Sequence, residues 1–385
     1  MEKTWNRIQL FHNGDEFFTE LIASIRRAQK SITVEFYIFE IDAMTEILLV
    51  ELQLAALRGC EVQLLVDGVG SFLWLEDLAQ RCQQEGIFFR VYHPLPGFLQ
   101  WIARVPEALF SRTPNLFRRA NRRNHRKTVV IDRKRAFLGS MNMTQVHFAK
   151  MVGAKAWRDT GVYVEGAAVE SLVAAFELAW TFAKKRALLS VHSTFIRVRI
   201  QTILQWHDLL RLNANDKIRR YLYRDLCRRI NHAKSRVYIA TAYFLPKRAI
   251  VKALAGAARR GVDVRLLIPG PTDVPWVKWV AHHLPYKLQQ QGVQIFEYQP
   301  SVLHAKYMVI DDWSTVGSFN LNHRSLLHDL EVEAVLTDTG SLNNLVAQFQ
   351  KDLTHSKPLD MARYERRHFW ERWFTGTLFK LRYWF

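Results

Sequence analysis

The sequence predicts an α/β protein built from two similar halves, each a mixed β-sheet flanked by helices, related by a pseudo-twofold. Three observations predict it. Apolar, β-rich runs alternate with amphipathic helical stretches, the order of these runs repeats once along the chain, and one ordered set of polar residues recurs at the matching place in each copy.

The copies run roughly from residue 8 to 190 and from 205 to 355. "AQKSITVEFYIF" (Ala28 to Phe39) answers to "AKSRVYIATAYF" (Ala233 to Phe244), each the end of a helix followed by an apolar strand. "LRGCEVQLLVDG" answers to "RRGVDVRLLIPG", where Gly59 and Gly261 are placed to close a helix before a second buried strand. Further on, the strands "DTGVYVEG" and "EVEAVLTD" lead into the helices "ESLVAAFELAW" and "NNLVAQFQKDL". Between the copies, "TFIRVRIQTILQWHDLLRLNAND" is no Gly/Ser linker, and its apolar periodicity predicts ordered packing between the halves.

Composition sets the bounds. At 385 residues, 49% hydrophobic and 23% charged, the chain can bury two cores and is globular rather than disordered. The excess of 54 Lys and Arg over 36 Asp and Glu, a formal +18, calls for an acidic partner, either nucleic acid or an anionic membrane. Cys60, Cys82 and Cys227 are odd in number and lack metal-type spacing, so they are expected as packing residues in a reducing cytosol rather than as a disulfide or zinc framework. No run approaches the roughly 20 apolar residues of a spanning helix, and the start has no signal-type apolar stretch, so any membrane contact is expected to be peripheral.

The recurring set is "NHRKTVVIDRKRAFLGSMN" and "LHAKYMVIDDWSTVGSFN". His125 and Lys127 are two residues apart, as are His304 and Lys306, so on extended backbone each pair faces one way and sets a nucleophile or proton carrier beside a fixed cation. Asp132 and Asp311 close their strands and are expected to be structural. The pairs Gly139-Ser140 and Gly317-Ser318 are small enough to admit a phosphate, with Ser140 and Ser318 contacting it and the amides of Asn142 and Asn320 donating to it. Each element alone is common on surfaces and in turns. Their shared order, with the Asp-to-Gly spacing differing by one residue, is not.

These residues identify the chain as resembling the phospholipase D superfamily, whose signature is that paired motif, over nearly its whole length. "GVGSFLWLEDLAQRCQQEGIFFRVYHP" and "GSFNLNHRSLLHDLEVEAVLTD" further resemble bacterial cardiolipin synthases without N-terminal transmembrane helices. The resemblance implies two phospholipase D-type α/β sandwich domains at 1–195 and 196–358, with a basic aromatic tail at 359–385. It implies one active site in which one His forms a phosphohistidine and the other carries the proton. The family pattern points to His125 as the nucleophile, and the near-symmetry of the copies leaves either assignment open. Lys127, Lys306, Asn142 and Asn320 hold the phosphoryl oxygens, and a downstream acid, mapped to Asp159 and Glu331, orients each His. No cofactor or metal is called for.

Two stretches bear on the substrate. Residues 94–123 interleave Phe98, Leu99, Trp101, Ile102, Phe110 and Phe117 with Arg104, Arg112, Arg118, Arg119, Arg122 and Arg123, and from Tyr364 to Phe385 nine aromatics stand among basic residues. Both have the composition of interfacial anchors. The expected activity is phosphatidyl transfer between two phosphatidylglycerols, giving cardiolipin and glycerol. The expected partner is an anionic phospholipid membrane containing phosphatidylglycerol and cardiolipin, on the cytoplasmic face of a bacterial cell membrane, with no nucleic acid and the oligomeric state open. The alternatives are a lipid hydrolase of the phospholipase D type and a nuclease of the same superfamily.

Overall fold

The computed structural model describes residues 4–94, 122–184, 193–272 and 283–360. In the first half the strands are β1 (Arg7–Phe11), β2 (Ser31–Phe36), β3 (Glu61–Asp67), β4 (Phe88–Tyr92), β5 (Thr128–Ile131), β6 (Arg135–Gly139) and β7 (Gly161–Glu165). They form one sheet in the order β1-β7-β6-β5-β2-β3-β4, parallel through β2, β3 and β4 and antiparallel elsewhere. The second half has β8 (Leu210–Leu212), β9 (Arg236–Ala240), β10 (Asp263–Pro269), β11 (Gln294–Tyr298), β12 (Tyr307–Ile310), β13 (Trp313–Gly317), β14 (Val332–Leu336) and β15 (Ser356–Pro358). Read from β8, its order is β8-β14-β13-β12-β9-β10-β11-β15, the first sheet strand for strand with one added at the edge.

Local sequence explains the repeated units. Helix α1 (Gly14–Arg26) starts where the Asn13 side chain accepts the Glu16 N–H. Helix α2 (Ala43–Leu57) starts at a reciprocal cap between Asp42 and Thr45 and ends at Gly59, whose φ of +93° is the left-handed turn only glycine adopts freely. Gly261 does the same in the second half at φ +86°. Helix α3 (Leu75–Gln84) buries Leu78 and Cys82 against the first sheet's outer core; Cys60 is buried too, and Cys227 is partly so.

Each half has its own outer core, and a third apolar cluster fills the space between the sheets. Helices α4 (Val169–Ala183) and α6 (Thr339–Thr354) cover part of each inner face. Between them β6 and β7 meet β13 and β14 directly, with Ala136, Leu138, Val162, Val316 and Ala334 in one cluster. The inner faces are therefore partly sheet on sheet rather than helix-covered throughout, because short side chains there let the sheets approach. Each such buried Val or Leu contributes about 1.5–3 kcal/mol, so the halves are joined by a core and not by a hinge.

The connecting segment is ordered, as its periodicity predicts. Helix α5 (Ser193–Gln205) packs on α4, and β8 pairs with β14, so one stretch of chain clasps a helix of the first half and the sheet of the second. Among the described residues no helix is long and apolar enough to cross a membrane. The aromatic segment at 95–121 and the tail beyond residue 360 lie outside the described residues.

Candidate active site

Strands β5 and β12 begin at Thr128 and Tyr307, so both His-x-Lys pairs lie in extended lead-ins just before the ladders rather than inside them. Their backbones are used across the interface instead. The His125 N–H donates to Leu330 O at 3.0 Å and the Leu330 N–H to Arg123 O at 2.9 Å. In the matching bridge the His304 N–H donates to Arg158 O at 2.8 Å and the Arg158 N–H to Val302 O at 2.9 Å. Each His-x-Lys lead-in is thus tied to the segment that carries the other half's acid.

The histidine–acid pairs are consequently crossed. His125 Nδ1 donates to Glu331 Oε2 at 3.1 Å, and His304 Nδ1 donates to Asp159 Oδ1 at 2.7 Å. With Nδ1 carrying the hydrogen, each Nε2 keeps its lone pair. Lys127 Nζ donates to His125 O and Lys306 Nζ to His304 O, both at 2.7 Å, so each ammonium is folded back beside its own imidazole, as the two-residue spacing predicts.

Burial makes this centre electrostatically tense. Desolvation, then Lys127, hold His125 well below the ordinary imidazole range, and desolvation, then Lys306, do the same to His304. Lys127 is lowered to about 7 by burial, with Lys306 adding to the effect and Glu331, Asp329 and Asp159 opposing it. Groups of both halves therefore share one field. The acids diverge: burial pushes Glu331 up to about 7. Burial acts on Asp159 in the same sense, but His147 and His304 outweigh it and hold that carboxyl well below the usual carboxylate range.

The Gly-Ser pairs have a different task from the one their size suggests. Ser140 Oγ donates to Asp159 Oδ1 at 2.7 Å, Ser318 Oγ donates to Glu331 Oε2, and both serines are fully buried. They brace the acids from behind, correcting the expectation that they touch phosphate. The glycines are required by the sheet, since a Cβ on Gly139 would lie 2.7 Å from Gly161 Cα and one on Gly317 2.0 Å from Val332 O. Asn142 accepts the Ile38 N–H at 3.3 Å through Oδ1, which leaves its amide hydrogens to donate elsewhere; Asn320 Oδ1 is buried with no hydrogen-bond partner among the described residues.

Asp132 and Asp311 sit at φ +52° and +51° and face the backbone. Asp132 Oδ1 accepts N–H groups of Gln29, Lys30 and Ser31, and Asp311 those of Lys234, Ser235 and Arg236. Arg123, expected as part of a lipid-facing stretch, is instead 1% exposed, with NH1 3.6 Å from Asp67 and donating to His93 O. A buried carboxylate draws it inward, whereas Arg122 remains on the surface.

Several residues at the centre escaped sequence reasoning. Tyr37 lies 5.0 Å from His125, ring to ring, and under Lys127 Nζ at 5.4 Å; Trp157 lies 5.2 Å from both His304 and His147. Asn213, just past β8, accepts the Glu331 N–H at 2.6 Å and donates to Asp329 O at 2.8 Å, so the connecting segment positions an acid. His147 donates from Nδ1 to Asp159 Oδ2 at 2.6 Å, and Ser325 donates to Glu331 Oε1 at 2.6 Å. One signal could have found these two, because each lies five residues past the motif asparagine, Asn142 or Asn320.

Among the described residues the one cluster with the donor spacing of a cation site is His147, Asp159 and His304, whose donor atoms lie within 4.8 Å of one another. Those atoms are already joined by hydrogen bonds, and a cation there would have to displace both Nδ1 hydrogens. Fold and site together define the class: a duplicated α/β protein with the paired-motif centre of the phospholipase D superfamily.

A family model described as cardiolipin synthase, PLD-like domain, matches residues 21–180 and 226–353, and the chain belongs to that family. It is 32% identical to a cardiolipin synthase of Clostridium perfringens strain SM101 over 94% of this chain and 73% of that protein. It is 34% identical to cardiolipin synthase B of Escherichia coli K12 over 88% of this chain and 79% of the relative. The crystal structure of phosphatidylserine synthase from Haemophilus influenzae Rd KW20 shares the fold, with a TM-score of 0.66, 16% identity, and coverage of 91% of this chain and 87% of that one.

Proposed function

We infer that the chain is a phosphatidyltransferase that moves a phosphatidyl group from one phosphatidylglycerol to the hydroxyl of a second, forming cardiolipin and releasing glycerol. The observation that carries this reading is the crossed pairing, in which two imidazoles with free Nε2 atoms are each backed by a carboxylate of the opposite half. One Nε2 attacks phosphorus and the P–O bond to glycerol breaks, while the other imidazole, which takes up a proton at Nε2 as the anionic diester binds, protonates the departing oxygen. The second phosphatidylglycerol then gives its hydroxyl proton to that imidazole and displaces the phosphohistidine. One phosphodiester replaces another, so no nucleotide energy is spent. Lys127, Lys306 and the Asn142 and Asn320 amides stabilise the charge of the pentacoordinate phosphorus, and Asp132 and Asp311 serve the fold.

The domain limits 1–195 and 196–358 and the anchor at 359–385 belong to this reading, with the protein peripheral on the cytoplasmic face of an anionic membrane. The decisive experiment is incubation of purified protein with labelled phosphatidylglycerol vesicles, with and without a chelator. Cardiolipin and glycerol in both arms are expected. Phosphatidic acid alone makes it a hydrolase, and loss on chelation restored by one divalent ion overturns the metal-independent mechanism.

A further inference from the structure

The two halves match strand for strand, yet the two acids are not braced alike. Five residues past Asn142 stands His147; five past Asn320 stands Ser325. The first places an imidazole N–H on Asp159 Oδ2 at 2.6 Å, the second a hydroxyl on Glu331 Oε1 at 2.6 Å. His147 is fully buried, and its Nε2 accepts the backbone N–H of Asn142 at 3.2 Å. That bond requires Nε2 to be unprotonated, so the ring hydrogen resides on Nδ1 and points at the carboxylate. Asp159 therefore accepts from two imidazoles and the Ser140 hydroxyl, whereas Glu331 accepts from one imidazole and two hydroxyls.

The rings reinforce the geometry. His147 and His304 lie 5.4 Å apart, and Trp157 lies 5.2 Å from each, so His147 fixes both the position of Asp159 and the wall against which His304 rests. In the second half Ser325, held by its backbone N–H on Asn322 Oδ1, offers one rotatable hydroxyl and no ring.

We propose that His147 is a positioning residue that holds the Asp159 carboxylate on His304 and so divides the labour between two otherwise equivalent histidines. His304, backed by a firmly held anion, carries the proton. His125, whose partner acid is held only by hydroxyls, attacks phosphorus. His304 takes up a proton at Nε2 as the anionic diester binds; in the first step the His125 Nε2–P bond forms, the P–O bond to the leaving group breaks, and the leaving oxygen takes that proton from His304 Nε2. In the second step the acceptor hydroxyl returns a proton to His304 Nε2 as its oxygen displaces His125. The different environments of Asp159 and Glu331 agree with this division. The proposal rests on the two-histidine transfer reading and adds the asymmetry that this reading leaves open.

The test separates proton transfer from nucleophilic attack by changing the leaving group. Full-length protein and its His147→Phe, His147→Ser and His147→Gln variants are assayed on phosphatidylglycerol, whose glycerol must leave protonated, and on phosphatidyl-p-nitrophenol, whose phenolate leaves without a proton. His147→Phe and His147→Ser are expected to lose about 10–100-fold on phosphatidylglycerol, while the first burst of p-nitrophenol stays within about threefold of the parent. His147→Gln, which can still donate to Asp159, recovers part of the difference. If His147→Phe fails to fold, by circular dichroism, His147→Ser carries the same comparison with the residue the second half uses. Equal losses on both substrates in every folded variant, or a larger loss of the phenol burst, would overturn the proposal. A parent chain that cleaves both substrates yet makes no cardiolipin refutes the lipid-synthase reading and leaves this comparison intact; one that cleaves neither ends both.

Discussion

The carboxylate of Glu331 reaches His125 Nδ1 at 3.1 Å from the opposite half of the molecule, and Asp159 reaches His304 in the reverse direction at 2.7 Å. Neither motif histidine takes its acid from its own half. Glu331→Gln and Asp159→Asn keep side-chain shape but remove the anion that orients and stabilises each imidazolium. Each is expected to lower the transfer rate by about 10²–10⁴-fold, with a melting temperature within a few degrees of the parent. A steady-state assay beside thermal unfolding checks this, and near-parental turnover in either variant would show that the crossed contact is incidental.

The two histidines should separate in a trapping experiment. With radiolabelled phosphatidyl-p-nitrophenol and rapid denaturation at alkaline pH, where phosphohistidine survives, the His304→Ala protein is expected to retain label because its phenolate leaves unaided and deprotonation of the acceptor is lost. His125→Ala should retain none. Both should fall below about a hundredth of parental transfer, since members of one catalytic unit fail together rather than additively. Label on His125→Ala but not on His304→Ala would reverse the assignment.

Asp132 and Asp311 give the motif half its recognisable pattern, yet their oxygens are occupied by backbone N–H groups at the starts of β2 and β9. Asn tolerates their positive φ and keeps one acceptor oxygen. Asp132→Asn and Asp311→Asn should each cost about 1–2 kcal/mol of stability while changing kcat by less than about threefold. Denaturant unfolding and turnover measured on one preparation decide it: a large loss of kcat at unchanged stability would move these residues into the chemistry.

The duplicated order of strands was legible because periodicity and punctuation agree locally: β2 and β9, α2 with Gly59, and β7 and β14 all fall where the apolar runs place them. His125, Lys127, His304 and Lys306 were legible because repetition removes coincidence. What stayed hidden depends on contacts between distant segments. Nothing in "HDLEVEAVLTD" says that Glu331 faces the first half's histidine, because that is fixed by the Leu330 bridge to Arg123 and His125. Ser140 and Ser318 read as phosphate contacts because small residues near a motif suggest access, whereas the sheet turns their hydroxyls inward. Arg123 read as surface because its partner, Asp67, lies 56 residues earlier in sequence.

The shifted groups of the centre predict that an anion binds together with protons. His125 and His304 are depressed by burial and by Lys127 and Lys306, so their neutral burial contributes stability that is present above their unfolded value near 6.5 and lost as pH falls through the folded values. Glu331 runs the other way: raised to about 7, its contribution is complete below its unfolded value of about 4.5 and lost as pH rises through 7. A phosphodiester among these groups favours every protonated form. It raises the histidines, keeps Lys127, lowered to about 7, charged, and favours neutral Glu331. All four effects have one sign, so affinity for a diester of fixed single charge, such as glycerophosphoglycerol, should fall with rising pH, by up to about tenfold per pH unit for each proton taken up. Calorimetry at pH 6 and pH 8 in buffers of different ionisation enthalpy reads both the affinity and the proton uptake. Equal affinity with no uptake would mean that the imidazoles and Lys127 are already protonated in the free protein and that burial has not shifted them as described.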